Sequence, residues 1–187
     1  MTMGKTEERA AALAARRVLT AKERQIKSAA ICRRLRALPE LGRAQVLLSY
    51  MAAWDEADLS LLHEALLAEG KTLAFPVTGP EGRMEAWTPS GPGAMKKGRF
   101  GLLEPDRTRA RQILPGQMDI VLVPCVAFDS ACMRLGHGAG YYDRYLPGCS
   151  GALLIGLAFE EQRLPRVTAM AHDRAMDLIV TDGGIYR

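Results

Sequence analysis

The chain predicts an α/β fold, a three-layer α/β/α sandwich around a mostly parallel sheet, with a long basic N-terminal helix ahead of it. Three observations predict this. Short apolar runs recur along the chain, among them Val46-Leu47-Leu48 and Ile120-Val121-Leu122-Val123, and such runs read as strands buried on both faces. Helical or long loop segments separate them, as parallel pairing requires. The first forty or so residues are dominated by Ala, Leu, Arg, Lys and Glu, which favour helix. The 187 residues, 48% hydrophobic and 25% charged, suit one domain spanning 1–187 and exclude disordered, collagenous and coiled-coil classes.

In order along the chain, residues 5–38 predict one long helix or two, broken near Thr20 and ended by Pro39 and Gly42. Residues 43–51 form the first strand. Asp58 or Ser60 then caps a helix that runs through Leu67 and closes at Gly70. Residues 71–77 are the second strand, stopped by Pro76 and the Thr78-Gly79-Pro80 turn. Alternation over 84–88 predicts a half-exposed strand, and 90–93 and 96–105 read as loop. Residues 118–124 are the clearest central strand, followed by strands at 152–158 and 177–181. In open sheets of this kind ligands bind beyond the carboxyl ends of the strands, which directs attention to 50–58, 125–145, 159–162 and 181–186.

No apolar stretch reaches the 18 to 20 residues that cross a bilayer, and no signal-type segment opens the chain, so the expected location is cytoplasmic, without a membrane partner. The four cysteines, Cys32, Cys125, Cys132 and Cys149, form no CxxC pair and read as small buried hydrophobes. The net charge of +4 is uneven: residues 1–43 hold 11 Lys and Arg against 4 acids, and the remainder 14 against 17. A basic helix can track nucleic-acid phosphate. A solvated face explains it better, because no aromatics are interleaved for base stacking and the rest of the chain is acidic, so no nucleic-acid partner is expected.

The densest chemistry lies in Arg134-Leu135-Gly136-His137-Gly138-Ala139-Gly140-Tyr141-Tyr142-Asp143. Glycines at alternate positions let consecutive backbone N–H groups converge on one anion, and a helix beginning after Gly140 adds its dipole. The spacing matches neither the dinucleotide fingerprint nor a Walker A loop. Arg134 carries a fork suited to phosphate oxygens. Asp143 beside a phosphate is repulsive unless Mg²⁺ bridges the two, the usual way that ion is held.

Around this loop the resemblance becomes specific. Asp119-Ile120-Val121-Leu122-Val123-Pro124, Val126-Ala127-Phe128-Asp129, Arg134-Leu135-Gly136 and Gly140-Tyr141-Tyr142-Asp143-Arg144-Tyr145-Leu146 resemble the signature of the 5-formyltetrahydrofolate cyclo-ligase (methenyltetrahydrofolate synthetase) family. Lys5 and Arg9, Glu56 and Asp58, Gly70 and Lys71, the segment from Phe100 to Pro105 and that from His172 to Asp182 extend the likeness over nearly the whole chain. The resemblance implies an ATP- and Mg²⁺-dependent conversion of 5-formyltetrahydrofolate to 5,10-methenyltetrahydrofolate with release of ADP and phosphate. The formyl oxygen would attack the γ-phosphate, and N10 would then attack the activated carbon. Both nucleophiles belong to the substrate, so the protein contributes position and charge.

Carried over by residue, the resemblance implies that Lys5, Arg9 and the stretch Arg134 to Tyr142 contact ATP. Arg134, Tyr142 and Asp143 would serve catalysis, Asp143 with Asp177 would hold the metal, and Met51 and Glu56 would contact folate, with Trp54 between them in position to stack. The chain is expected to act as a monomer on ATP and 5-formyltetrahydrofolate. The alternative is a paralogue that binds ATP but acts on another small molecule, with nucleic-acid binding as the weaker third. Two positions depart from the family pattern: His137 stands where Arg or Tyr is usual, and Ala139 where Lys or Gly is usual. Lys96, Lys97 or Arg99 would then supply the missing charge, and His137 would make ATP affinity depend on pH near neutrality.

Overall fold

The computed structural model describes residues 4–99, 101–170 and 173–187, so Phe100 and His172 of the family-like segments lie outside the described residues. The chain opens with α1 (Lys5–Arg17), α2 (Ala21–Arg36) and α3 (Pro39–Arg43), then β1 (Val46–Leu48), α4 (Ser60–Ala68) and β2 (Thr72–Thr78). Next come β3 (Met84–Pro89), β4 (Met95–Lys97), β5 (Leu103–Pro105), β6 (Ala110–Ile113) and β7 (Ile120–Pro124). A short hairpin of β8 (Ala127–Phe128) and β9 (Arg134–Leu135) leads to α5 (Tyr141–Tyr145), and β10 (Leu153–Leu157), β11 (Leu178–Val180) and β12 (Ile185–Tyr186) complete the chain.

The main sheet has the order β12-β11-β10-β7-β1-β2-β3-β6. The five strands from β11 to β2 pair in parallel, and β12, β3 and β6 extend the two ends antiparallel. Taken in chain order, the parallel strands lie 2-1-3-4-5, a doubly wound arrangement whose order reverses between β1 and β7. This is the mostly parallel α/β fold that the apolar runs predict. Leu47, Leu48, Ile120, Val121, Leu122 and Val123 are at most 1% exposed, and each such side chain contributes about 1.5–3 kcal/mol of burial.

The N-terminal basic segment is two helices, the second of the alternatives the sequence allows. Thr20 divides them: its Oγ1 accepts from Glu23 N at 3.2 Å, and Glu23 Oε2 accepts from Thr20 N at 2.7 Å. One face of the sheet is covered by α2, α3 and α4, through Ile31, Leu35, Leu41, Leu62 and Leu66. The opposite face is covered mainly by irregular chain around Met118, Cys132, Leu146, Cys149 and Met176, with the five-residue α5 as its helix. A third cluster seats Ala12 of α1 on Val126, Ala127, Leu135 and Val167. That second outer layer is thin in helix because the β7–β10 crossover is spent on the β8–β9 hairpin and the glycine loop.

Pro76 does not stop β2 as the sequence suggests. The Ala74 carbonyl accepts from Ser49 N, so Pro76, two residues on, faces the same side, where β1 has already ended at Leu48 and a missing N–H costs no ladder bond. At α4 the cap position falls to Leu59, between the two residues the sequence offered: Ser60 is the first helical residue, and Asp58, just before the cap, accepts from Ser60 N through Oδ1 at 2.9 Å.

His63 on α4 is half-buried, packs edge-on to Phe75 with ring centroids 5.1 Å apart, and lies 2.7 Å from Ser49 Oγ through Nε2. Burial lowers its pKa from 6.5 to about 4, against a smaller opposing effect of Asp58. Between those values the unfolded chain binds a proton that the fold refuses, so stability is full above pH 6.5 and declines as pH falls toward 4. Chemical denaturation should show a loss of about 2 kcal/mol between pH 7 and 5, and His63→Gln should flatten that slope.

Candidate active site

Where the strand order reverses, the chain leaving β1 and the chain leaving β7 turn to opposite faces of the sheet, because α4 lies on one face and α5 on the other. A crevice opens between them. It holds a cavity of about 1040 Å³, walled by residues 50–56 after β1, the loop from Arg134 to Arg144, one side of α1 and the β4–β5 hairpin.

The charged end of the cavity is assembled from segments distant in sequence. Seating α1 on Leu135 and Val126 turns Arg9 toward the glycine loop, and its Nε donates to the Gly136 carbonyl at 2.8 Å. Lys5, one turn earlier, pairs with Asp173 at 2.5 Å. Arg134, with a side chain only 5% exposed, donates from Nη2 to Asp143 Oδ1 at 2.6 Å, while the Asp143 side chain remains 40% exposed. Gly138 (φ 96°) and Gly140 (φ 71°) adopt backbone that other residues resist. Gly138 lies beside Arg9, whose guanidinium carbon would be in ordinary contact with an added Cβ at 3.6 Å, so it is the backbone turn that favours glycine there.

The other end is more apolar, with Tyr50, Met51, Met84, Leu102 and Pro124 on its walls and Trp54, 86% exposed, at its mouth. One carboxylate enters it. Glu56, with an 8% exposed side chain, accepts from Ala53 N at 3.0 Å through Oε2 and faces His137 Nε2 at 3.2 Å through Oε1. Arg16 is buried on α1 and holds this loop by donating to Asp55 Oδ1 at 2.7 Å. The Tyr50 hydroxyl is engaged on the Ala57 carbonyl. The buried Tyr142 hydroxyl has no partner among the described residues. Burial first, and then the Glu56 charge, push its phenol well above the usual range, so the hydroxyl stays neutral in a residue that lines the cavity.

Among the described residues no cysteine presents itself as a nucleophile. All four cysteines are buried thiols, and burial pushes Cys125, beside the site, up to about 11. The wall can therefore orient a bound molecule and compensate negative charge.

Of the residues singled out from sequence, Lys5, Arg9, Met51, Glu56 and every position from Arg134 to Asp143 line this one cavity, as does Trp54. Asp177 is the correction. It stands just before β11, at the amino ends of the parallel strands, whereas the cavity lies beyond their carboxyl ends, and its Oδ2 accepts from Leu154 N at 2.7 Å, so it is engaged in joining two strands and does not join Asp143. Asp173 is the acid that reaches the cavity, and sequence reasoning missed it. The available signal was its place directly after His172 in the segment quoted for the resemblance. Lys96 and Lys97 do not line the cavity, and Lys96 faces Asp106 at 3.5 Å. Arg99 does line it, and donates to the Gly79 carbonyl at 3.3 Å. Among the described residues no three His, Cys, Asp or Glu side chains cluster as a ready-made metal site.

Comparison with known proteins bears on the whole chain. A family model, described as the 5-formyltetrahydrofolate cyclo-ligase family, matches residues 1–182. The 5-formyltetrahydrofolate cyclo-ligase of Mycolicibacterium smegmatis is 31% identical over 142 residues, covering 71% of either chain. A probable 5-formyltetrahydrofolate cyclo-ligase of Schizosaccharomyces pombe is 28% identical over 176 residues, 86% of each. The NMR structure of 5,10-methenyltetrahydrofolate synthetase from Aquifex aeolicus superposes with a TM-score of 0.87 at 33% identity, over 99% of this chain and 93% of that one.

Proposed function

The chain belongs to the 5-formyltetrahydrofolate cyclo-ligase family and has that family's activity, the ATP-dependent conversion of 5-formyltetrahydrofolate to 5,10-methenyltetrahydrofolate; we propose the following assignment of its cavity residues to that reaction. The observation that carries the assignment is the convergence of Lys5, Arg9 and the loop from Arg134 to Asp143 at one end of a cavity whose other end is apolar with one inserted carboxylate.

The triphosphate lies along the glycine loop, with Lys5, Arg9 and Arg134 compensating its charge. The pteridine ring lies against Met51 with Glu56 accepting from its ring N–H and amino groups, and Trp54 stacks at the mouth. The substrate's formyl oxygen attacks the γ-phosphorus and ADP departs, leaving the formyl carbon activated by a phosphate ester. N10 then attacks that carbon, the five-membered ring closes, and phosphate leaves. Arg134 and the neutral Tyr142 hydroxyl face the charge that builds on the transferred phosphoryl oxygens.

The residues fit a magnesium ion that enters with the nucleotide. Mg²⁺ needs only one or two carboxylates beside phosphate oxygens, and Asp143 and Asp173 both reach the cavity, each balanced by a cation that phosphate would compete for. When bound, the ion neutralises charge on the β- and γ-phosphates. The chain is proposed to act as a monomer, and no helix among the described residues is long and apolar enough to cross a membrane. A cytoplasmic location is proposed on the four unpaired cysteines.

Purified protein given ATP, Mg²⁺ and 5-formyltetrahydrofolate should generate the methenyl chromophore and one phosphate per turnover. Nucleotide binding without that product would favour a paralogue acting elsewhere. Glu56→Gln should raise the folate KM roughly tenfold with a small effect on the ATP KM, because a charge-assisted contact to the ring is worth about 1.5–3 kcal/mol. Steady-state kinetics with each substrate varied in turn checks it.

A further inference from the structure

Arg144 is outside every assignment made above, yet it is the most tightly accommodated arginine of the loop. Its Nε donates to the Gly82 carbonyl at 3.1 Å and its Nη2 to the Ala139 carbonyl at 2.5 Å. One guanidinium thus ties the glycine loop to the β2–β3 turn, 62 residues away in sequence. The guanidinium occupies space that glycine leaves open on both sides of it. A Cβ at Gly82 would stand 1.6 Å from Nη2, and one at Gly140 would stand 2.7 Å from Nη1. Both glycines also hold positive φ, 70° and 71°, so each supplies the room and the backbone turn together. Gly82 itself does not line the main cavity, whereas Arg144 forms part of the wall between it and a smaller cavity of about 360 Å³ under the β2–β3 turn.

We propose that Arg144, clamped between Gly82 and Gly140, is a positioning residue that fixes the glycine loop in its nucleotide-receiving form by bridging the Ala139 and Gly82 carbonyls. The planar fork of arginine suits this because it holds two separate donor nitrogens, Nε and Nη2, at a fixed spacing, whereas lysine brings all its donors on one nitrogen at the end of a flexible stem. The loop residues between Gly136 and Gly140 have few other anchors of this kind. Arg9 holds the Gly136 carbonyl at one end, and Arg144 holds the Ala139 carbonyl at the other. The nucleotide contacts lie between the two. The inference rests on the glycine loop being the nucleotide site.

Its test is a cycle of ATP dissociation constants, read by calorimetry on the full chain, for the parent protein and the Arg144→Ala, Arg144→Lys, Gly82→Ala and Gly82→Ala/Arg144→Ala variants. Arg144→Ala should raise the Kd roughly tenfold. Gly82→Ala should do the same from outside the cavity, by displacing the guanidinium. The double variant should be no weaker than either single one, because both break the same bridge. Arg144→Lys should behave like the alanine variant, while the folate KM and the melting midpoint stay near the parent values. A Gly82→Ala protein with parent-like ATP affinity, multiplying losses in the double variant, or full rescue by lysine would overturn the proposal, the last by showing a simple charge contact. Folate KM and melting point falling together with ATP affinity would also overturn it, by showing general loss of the fold. Failure of the parent protein to bind ATP would instead strike the nucleotide assignment.

Discussion

Arg134→Ala should lower kcat/KM for ATP by about 10²–10³. The guanidinium is almost wholly buried, its one named hydrogen bond goes to Asp143, and its Nε has no partner among the described residues. A buried cation with unused donors beside a loop built for anions acts at low effective dielectric, where its charge is screened far less than that of Lys5 at the helix start. Its reach is visible in its neighbours, since its charge partly offsets the upward push of burial on both Tyr142 and Cys125. Arg134→Lys should recover part of the loss, because the charge returns without the fork that would span Asp143 and a phosphoryl oxygen together. Stability should fall only modestly in the alanine variant: Asp143 is 40% exposed and is left to water rather than stranded. Kinetics with ATP varied, alongside thermal melting, separates these effects, and an unchanged ATP KM and kcat would remove Arg134 from the site.

The parts of the fold that sequence makes legible are those with a physical period or a punctuating residue. Apolar runs marked β1, β7 and β10 because strands covered on both faces must be continuously hydrophobic. Thr20 marked the place of a possible break between α1 and α2, and the structure shows the local chemistry that makes it one, a capping box with Glu23. The β4–β5 and β8–β9 hairpins were not legible: strands of two or three residues carry too few positions for an alternation to show, and their pairing is decided by what they pack against. Pro76 misled for a related reason, since the cost of a proline depends on whether the neighbouring strand still runs alongside it. In the site, the glycine loop was readable as a local pattern. The choice between Asp173 and Asp177 was not, because the two acids are four residues apart and only the path of the chain decides that one enters the cavity and the other joins two strands at their amino ends. Arg144 escaped notice because its meaning depends on a distant glycine, Gly82, that no short motif connects to it.

Asp143→Ala should lose turnover by about 10²–10³, equivalent to about 2.7–4 kcal/mol of transition-state stabilisation, and the form of the loss distinguishes two roles for this carboxylate. In one role Asp143 only orients Arg134, through the 2.6 Å contact with Nη2. Asp143→Asn would then keep an acceptor oxygen at the same place and most of the activity. In the other, the exposed part of the carboxylate supplies negative charge to a cation that travels with the nucleotide. Asparagine would then fail nearly as badly as alanine, since a neutral amide oxygen is a poorer partner for a hard divalent ion. The exposure pattern favours the second role: an acid whose sole task was to brace Arg134 would gain from being as buried as its partner, yet 40% of the Asp143 side chain faces solvent against 5% for Arg134. The expected result is therefore loss in both variants, with the asparagine protein partly restored as Mg²⁺ is raised and the alanine protein restored less. Initial rates across a Mg²⁺ titration at saturating ATP and 5-formyltetrahydrofolate measure this directly, and an asparagine variant with parent activity at low Mg²⁺ would leave Asp143 as a brace for Arg134 alone.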